Sequence, residues 1–133
     1  MANRHASPAQ GTRLLELDTL VSRPHIEVDG QRIEMLNPEE MSVIDNHRFG
    51  VWGAELERLQ ADASEEAGEE LARLVARVAR DILPGCPDEL FARLSGVQQM
   101  AVIEVFIGLR LSARLRLTGA VRTAAENPPT GAK

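Results

Sequence analysis

The sequence predicts an α+β fold, mainly helical, with a small N-terminal β-hairpin packed on three to four helices. Three observations predict it. An Asp29-Gly30 dipeptide separates two short runs in which apolar and polar residues alternate, the strongest short-range hairpin signal. Beyond it, apolar residues recur at helical spacing between capping residues and a Pro84-Gly85 break. Of 133 residues, 44% are apolar and 26% charged, which suits one domain with a modest core.

Residues 1–13 are polar and aperiodic and read as a flexible arm. Leu14 to Val21 alternates imperfectly; it is either a short helical turn or, from Leu15 to Val21, a third strand beside the hairpin. The hairpin itself spans 24–36. A two-residue type I′ loop at Asp29-Gly30 pairs Val28 with Gln31, Glu27 with Arg32, Ile26 with Ile33 and His25 with Glu34. Ile26, Val28, Ile33 and Met35 then share one face, and His25, Glu27, Arg32 and Glu34 the other. Such a hairpin is marginal alone, so its apolar face must lie on helices or receive another strand.

Asn37-Pro38-Glu39-Glu40 carries a capping residue, a proline for the first helical position and acids for the positive dipole end. It predicts a helix over 38–60, with Met41, Ile44, Trp52, Leu56 and Leu59 as its apolar stripe. Gly50 and Gly53 mark a kink there or the close approach of another backbone beside Trp52. A capping box, Asp62-Ala-Ser-Glu65, starts a second helix over 64–83. Leu71, Leu74, Val75, Val78 and Ile82 are its stripe, and Arg73, Arg77 and Arg80 its solvated charged side with Glu66, Glu69 and Glu70. A short helix over 88–94 follows Pro87. Ser95-Gly-Val-Gln98 is another capping box, opening a helix over 96–114. Residues 14–118 are thus expected to form one globular domain, and 119–133 a disordered tail.

The helix over 96–114 poses the functional question. Val97, Met100, Ala101, Val102, Ile103, Val105, Phe106, Ile107, Leu109 and Leu111 point to every side of it. A surface helix buries one stripe; this one must be covered all round, by its own chain or by another.

Chemistry is thin by comparison. His5, His25 and His47 are scattered, and Asp45 and His47 lie two apart on different faces of a helix. No HExxH, CxxC, GxSxG or phosphate-cradling loop is present, so no catalytic, cofactor-binding or metal-binding residue is assigned and no enzyme is expected. The acids at 65, 66, 69 and 70 read as helix-start electrostatics. The single Cys86 forms no internal disulfide and suits a reducing cytoplasm. Residues 1–13 hold no apolar stretch, so no signal peptide is expected, and the longest apolar run is too short to cross a bilayer. A net charge of −5 and 3% aromatics argue against nucleic acid and anionic membranes as partners. Gln99, Arg110 and Arg114 form the one wet stripe of the last helix; with Arg116, the arginines complement its C-terminal dipole.

Two stretches together resemble a known family: Ile26-Glu-Val-Asp-Gly-Gln-Arg-Ile-Glu-Met-Leu-Asn-Pro-Glu-Glu-Met-Ser42, and Pro87-Asp-Glu-Leu-Phe-Ala-Arg-Leu-Ser-Gly-Val-Gln-Gln-Met-Ala-Val-Ile-Glu-Val-Phe106. A hairpin feeding a capped helix, followed by this proline-started pattern, resembles the tail assembly chaperones of long-tailed bacteriophages and prophages over about residues 16–110. The resemblance implies a non-enzymatic protein of the bacterial host cytoplasm. It would coat the long helical tape measure protein before the tail tube polymerises, with the tail tube protein as a further partner. Such proteins self-associate, and many also exist in a frameshifted, C-terminally extended form. An apolar groove for an amphipathic helix fits that role, and Val102, Val105, Phe106 and Leu109, with Trp52, are the expected contact residues. The competing readings are a small structural virion protein (a head–tail connector or tail completion subunit) and a regulatory or antitoxin-like module.

Overall fold

In a computed structural model, residues 14–15 and 23–126 are described, with side chains through Thr118. The expected arm over 1–13, most of the optional strand over 15–21, and the end of the tail beyond Glu126 lie outside them. The fold is mainly helical with an N-terminal hairpin, as expected. Its elements are β1 (His25–Val28), β2 (Gln31–Glu34), a 3-10 turn (Pro38–Glu40), α1 (Val43–Ala61), α2 (Glu65–Ile82), α3 (Asp88–Phe91) and α4 (Gly96–Glu126). Residues Ser22–Arg110 form one compact unit, and the part of α4 from Leu111 falls in a second.

The hairpin has the expected register, with Ile26 opposite Ile33 and Val28 opposite Gln31. Asp29 and Gly30 take φ of 50° and 81°, the left-handed pair that a type I′ turn needs. Val28, Ile33 and Met35 are buried, while His25, Glu27, Arg32 and Glu34 are exposed. The apolar face lies on the helices. Met35 N–H donates to Pro24 O (2.9 Å), which extends the ladder, and Leu36 N–H donates to Ile82 O at the end of α2 (2.8 Å), which fastens the hairpin to that helix. The second bond satisfies a carbonyl that a helix end leaves without a partner.

The first helix departs from expectation. Asn37 does cap, its Oδ1 accepting from Glu39 N–H at 3.0 Å, but only a 3-10 turn follows. Met41 is extended, and Ser42 caps anew by accepting from Asp45 N–H. The restart at Val43 rotates the stripe. Phe49, Leu56 and Leu59 are buried, Trp52 is half-buried, and Ile44 is 75% exposed. Neither proposed role for Gly50 and Gly53 holds. The helix is continuous through both, and a Cβ at either would meet nothing within 4 Å.

The Asp62–Ser64 connection folds α2 back along α1. Its cap is Ser64, accepting from Ala67 N–H; Asp62 accepts instead from Ser64 N–H. Val75, Val78, Ala79 and Ile82 are buried, and Leu71 and Leu74 pack partly against them. Arg80 is not part of a solvated side. Its guanidinium donates to Cys86 O (2.7 Å) and Asp88 Oδ1 (2.6 Å) and lies over Phe91. It thereby ties the Pro84-Gly85 bend to α3, which is helical only over Asp88–Phe91. The capping box at Ser95 forms in full: Gln98 N–H donates to Ser95 Oγ, and Ser95 N–H to Gln98 Oε1. From there α4 runs to Glu126, past Arg114 and through part of the expected tail. Its Ala, Leu and Arg residues are good helix formers, and Asn127-Pro128 lies just beyond.

Candidate functional site

The apolar coat of α4 resolves into two sides within the first unit. Val102, Ile103 and Phe106 are 6%, 2% and 1% exposed and complete the core with α1, α2 and the hairpin. The Phe106 ring lies 4.9 Å from Phe49, which meets Trp52 edge-on at 5.2 Å. Phe106, enclosed in the core, leaves no surface for a partner, which corrects its expected role as a contact residue; Val102 is buried except where it borders the cleft beside Val105. A phenyl ring enclosed by Phe49 and the aliphatic core gains more from its own chain than from a reversible interface. Leu109 is half-buried against the same core.

The other side is bare. Val97, Ala101 and Val105 follow at four-residue steps and are all exposed, Val97 at 82% and Val105 at 50%. On a helix of 3.6 residues per turn, Val97 lies about 180° from Phe106. Ile107 is 49% exposed on a flank, and Glu104 is the charged residue among them. In the second unit, Leu111, Leu115 and Leu117 are exposed as well. A second apolar area lies on the outer side of α1, at Val43, Ile44 and Val51.

Beside Val105 the surface deepens into an open cleft of about 360 Å³ between β1, the residues after α3 and α4. Ile26, Val28, Leu94, Ala101, Val102 and Val105 line its apolar part, and Glu27, Asp29, Arg93 and Gln98 its polar part. Arg93 donates to Asp29 Oδ2 at 3.0 Å, closing the hairpin turn against the residues after α3.

The remaining candidates are occupied by structural duties. Trp52 is half-buried, with the guanidinium groups of Arg48 and Arg77 over its ring at 5.6 and 5.8 Å. Arg110 does not form a wet edge: it donates to Asn46 O and Oδ1 (3.3 and 2.9 Å) and so fastens α4 to the start of α1. Cys86 is free and buried, its Sγ 3.6 Å from Pro87 O. His25 and His47 are exposed and lie on separate elements; His5 is outside the described residues. Among the described residues no three His, Cys, Asp or Glu side chains are grouped to hold a metal, and no helix is long and apolar enough to cross a membrane. The shifted carboxylates are local. Glu55 is held below its ordinary value by a hydrogen bond from Arg58, and Asp62 by one from Ser64 N–H.

Sequence reasoning missed the cleft and misassigned α4's sides. The hydrophobic pattern of α4 shows only that apolar residues surround it; which of them meet the core depends on where Phe49 and the hairpin land. One signal was available: Phe49, Trp52, Leu56 and Leu59 follow helical spacing, which puts Phe49 rather than Ile44 on the buried stripe. Comparison with protein-family models, curated proteins and solved structures returns no match for this chain.

Proposed function

We propose that this chain is a tail assembly chaperone of a long-tailed bacteriophage or prophage. In this reading it is a non-enzymatic protein that binds and shields the tape measure protein during tail morphogenesis and self-associates. The observation that carries the reading is the uncovered apolar row Val97, Ala101 and Val105 on α4, opposite a core face that is already full. An amphipathic helix anchors on such a row through residues at i, i+3, i+4 and i+7, and a tape measure protein is long and helical. Exposed apolar rows of this kind mark interaction surfaces rather than reaction centres. The buried, unpaired Cys86 fits work in the reducing host cytoplasm.

Co-expression with the tape measure protein of the same phage or prophage tests the reading. The chaperone is expected to keep that protein soluble and to co-purify with it. An insoluble tape measure protein in its presence, with no complex recovered, overturns the assignment. Incorporation into purified virions would favour a structural tail or connector subunit instead.

A further inference from the structure

We propose that the free edge of β1 is a second docking site, which takes up an extended peptide segment as an added strand. The inference does not depend on the chaperone reading. It begins from the ladder. Antiparallel pairs that exchange main-chain bonds alternate with pairs that do not, and the two-residue turn closes on a bonded Val28–Gln31 pair. The bond from Met35 N–H to Pro24 O keeps the same parity at the other end. His25 and Glu27 therefore turn their N–H and C=O groups away from β2. Among the described residues no group bonds them. An edge of this kind templates strand addition.

That edge opens onto the cleft. Four consecutive β1 and turn residues, Ile26 to Asp29, line it, so the cleft meets the edge of the strand and not merely one of its faces. Across it stand Ala101 and Val105 of α4. The strand edge selects the occupant: a helix has already spent its main-chain groups on its own bonds, whereas an extended segment can return the N–H and C=O bonds that His25 and Glu27 offer. An extended segment needs room for only one side chain in two, because successive residues point to opposite faces. The rim adds a preference of charge: Glu27 and Asp29 stand against Arg93, which already binds Asp29. A strand with apolar residues facing Val28 and Val105 and a lysine or arginine beside Glu27 fits this edge.

The test uses the full chain and a short, end-blocked synthetic peptide alternating lysine and valine. Amide exchange by NMR is expected to slow at His25 and Glu27 on adding the peptide, by about tenfold or more at saturation. The same peptide N-methylated on its bonding edge should leave exchange unchanged. Glu27→Pro removes only an outward N–H, a change that edge strands tolerate, and is expected to cut affinity about tenfold with little change in melting temperature. Ala101→Phe fills the cleft from an exposed helical position and should weaken binding without touching the ladder. Equal binding of the N-methylated peptide, or undiminished binding by both variants, overturns the proposal. So does protection of His25 and Glu27 in the free protein. Concentration-dependent protection would assign the edge to a second copy, and concentration-independent protection to the chain's own residues before β1. Tape measure solubility rescue is read separately, so either proposal can fail alone.

Discussion

Val105 and Phe106 are neighbours in sequence and about 100° apart on α4, and they should respond to substitution in opposite ways. Phe106 is 1% exposed and packs on Phe49 at 4.9 Å. Truncation to alanine removes a ring from a filled core, which costs about 3–5 kcal/mol in lost transfer energy and residual cavity. Domains of this size are stable by only about 5–15 kcal/mol, and each kcal/mol shifts melting by about 4–8 °C for a domain of 60–100 residues. Phe106→Ala is thus expected to lower the melting temperature by more than about 12 °C, or to prevent folding. Val105 is 50% exposed, and Val105→Asp keeps the charge in water. Its cost should stay below about 1 kcal/mol, while the apolar row gains a carboxylate that a docking helix cannot desolvate cheaply. Thermal unfolding followed by circular dichroism reads both. Comparable losses from the two variants would refute the division of α4 into core and free sides.

Other substitutions test the supporting structure. Arg80→Met removes the donor to Cys86 O and the ion pair to Asp88, and is expected to cost about 1–2 kcal/mol in chemical denaturation. Gly50→Ala and Gly53→Ala sit in open space inside α1 and should each stabilise by about 0.5–1 kcal/mol. Gly30→Ala forces a Cβ to a φ of 81° and should destabilise by about 1 kcal/mol. Glu55 and Asp62 have folded-state pKa values lowered by Arg58 and by Ser64 N–H respectively. Their contribution to stability is present above the ordinary carboxylate range and is lost as pH falls through the folded values. An NMR titration should therefore place each midpoint below that of an unperturbed glutamate or aspartate; midpoints at or above ordinary values would contradict these bonds.

What the sequence revealed and what it hid follow from the range of the interactions concerned. The hairpin register was legible because Asp29-Gly30 fixes it within a few residues. The capping box at Ser95-Gln98 and the stripe of α2 were legible for the same reason: local bonds and local periodicity decide them. The start of α1 was not, because Asn37 and Ser42 are both competent caps. The choice between them depends on where Met41 and Phe49 pack. Arg80 and Arg110 looked like solvated charges, and only the folded chain brings Cys86 O, Asp88 and Asn46 within reach of them. The cleft joins β1 to α4 across more than seventy residues of sequence, and no local pattern announces it. The reach of α4 to Glu126 was hidden by Thr118-Gly119 and by Asn127-Pro128-Pro129, which suggest disorder while the intervening Ala, Val and Arg residues leave the helix free to continue.

If α4 serves a partner as proposed, its bare side does so and its core side does not. The most direct measurement is co-purification of the tape measure protein with the Val97→Asp, Val105→Asp double variant, compared with the unaltered chain at equal expression. The variant is expected to fold with nearly unchanged melting temperature and to recover at least about tenfold less tape measure protein, one tenfold step corresponding to about 1.4 kcal/mol of binding. Undiminished recovery by a folded variant would contradict it.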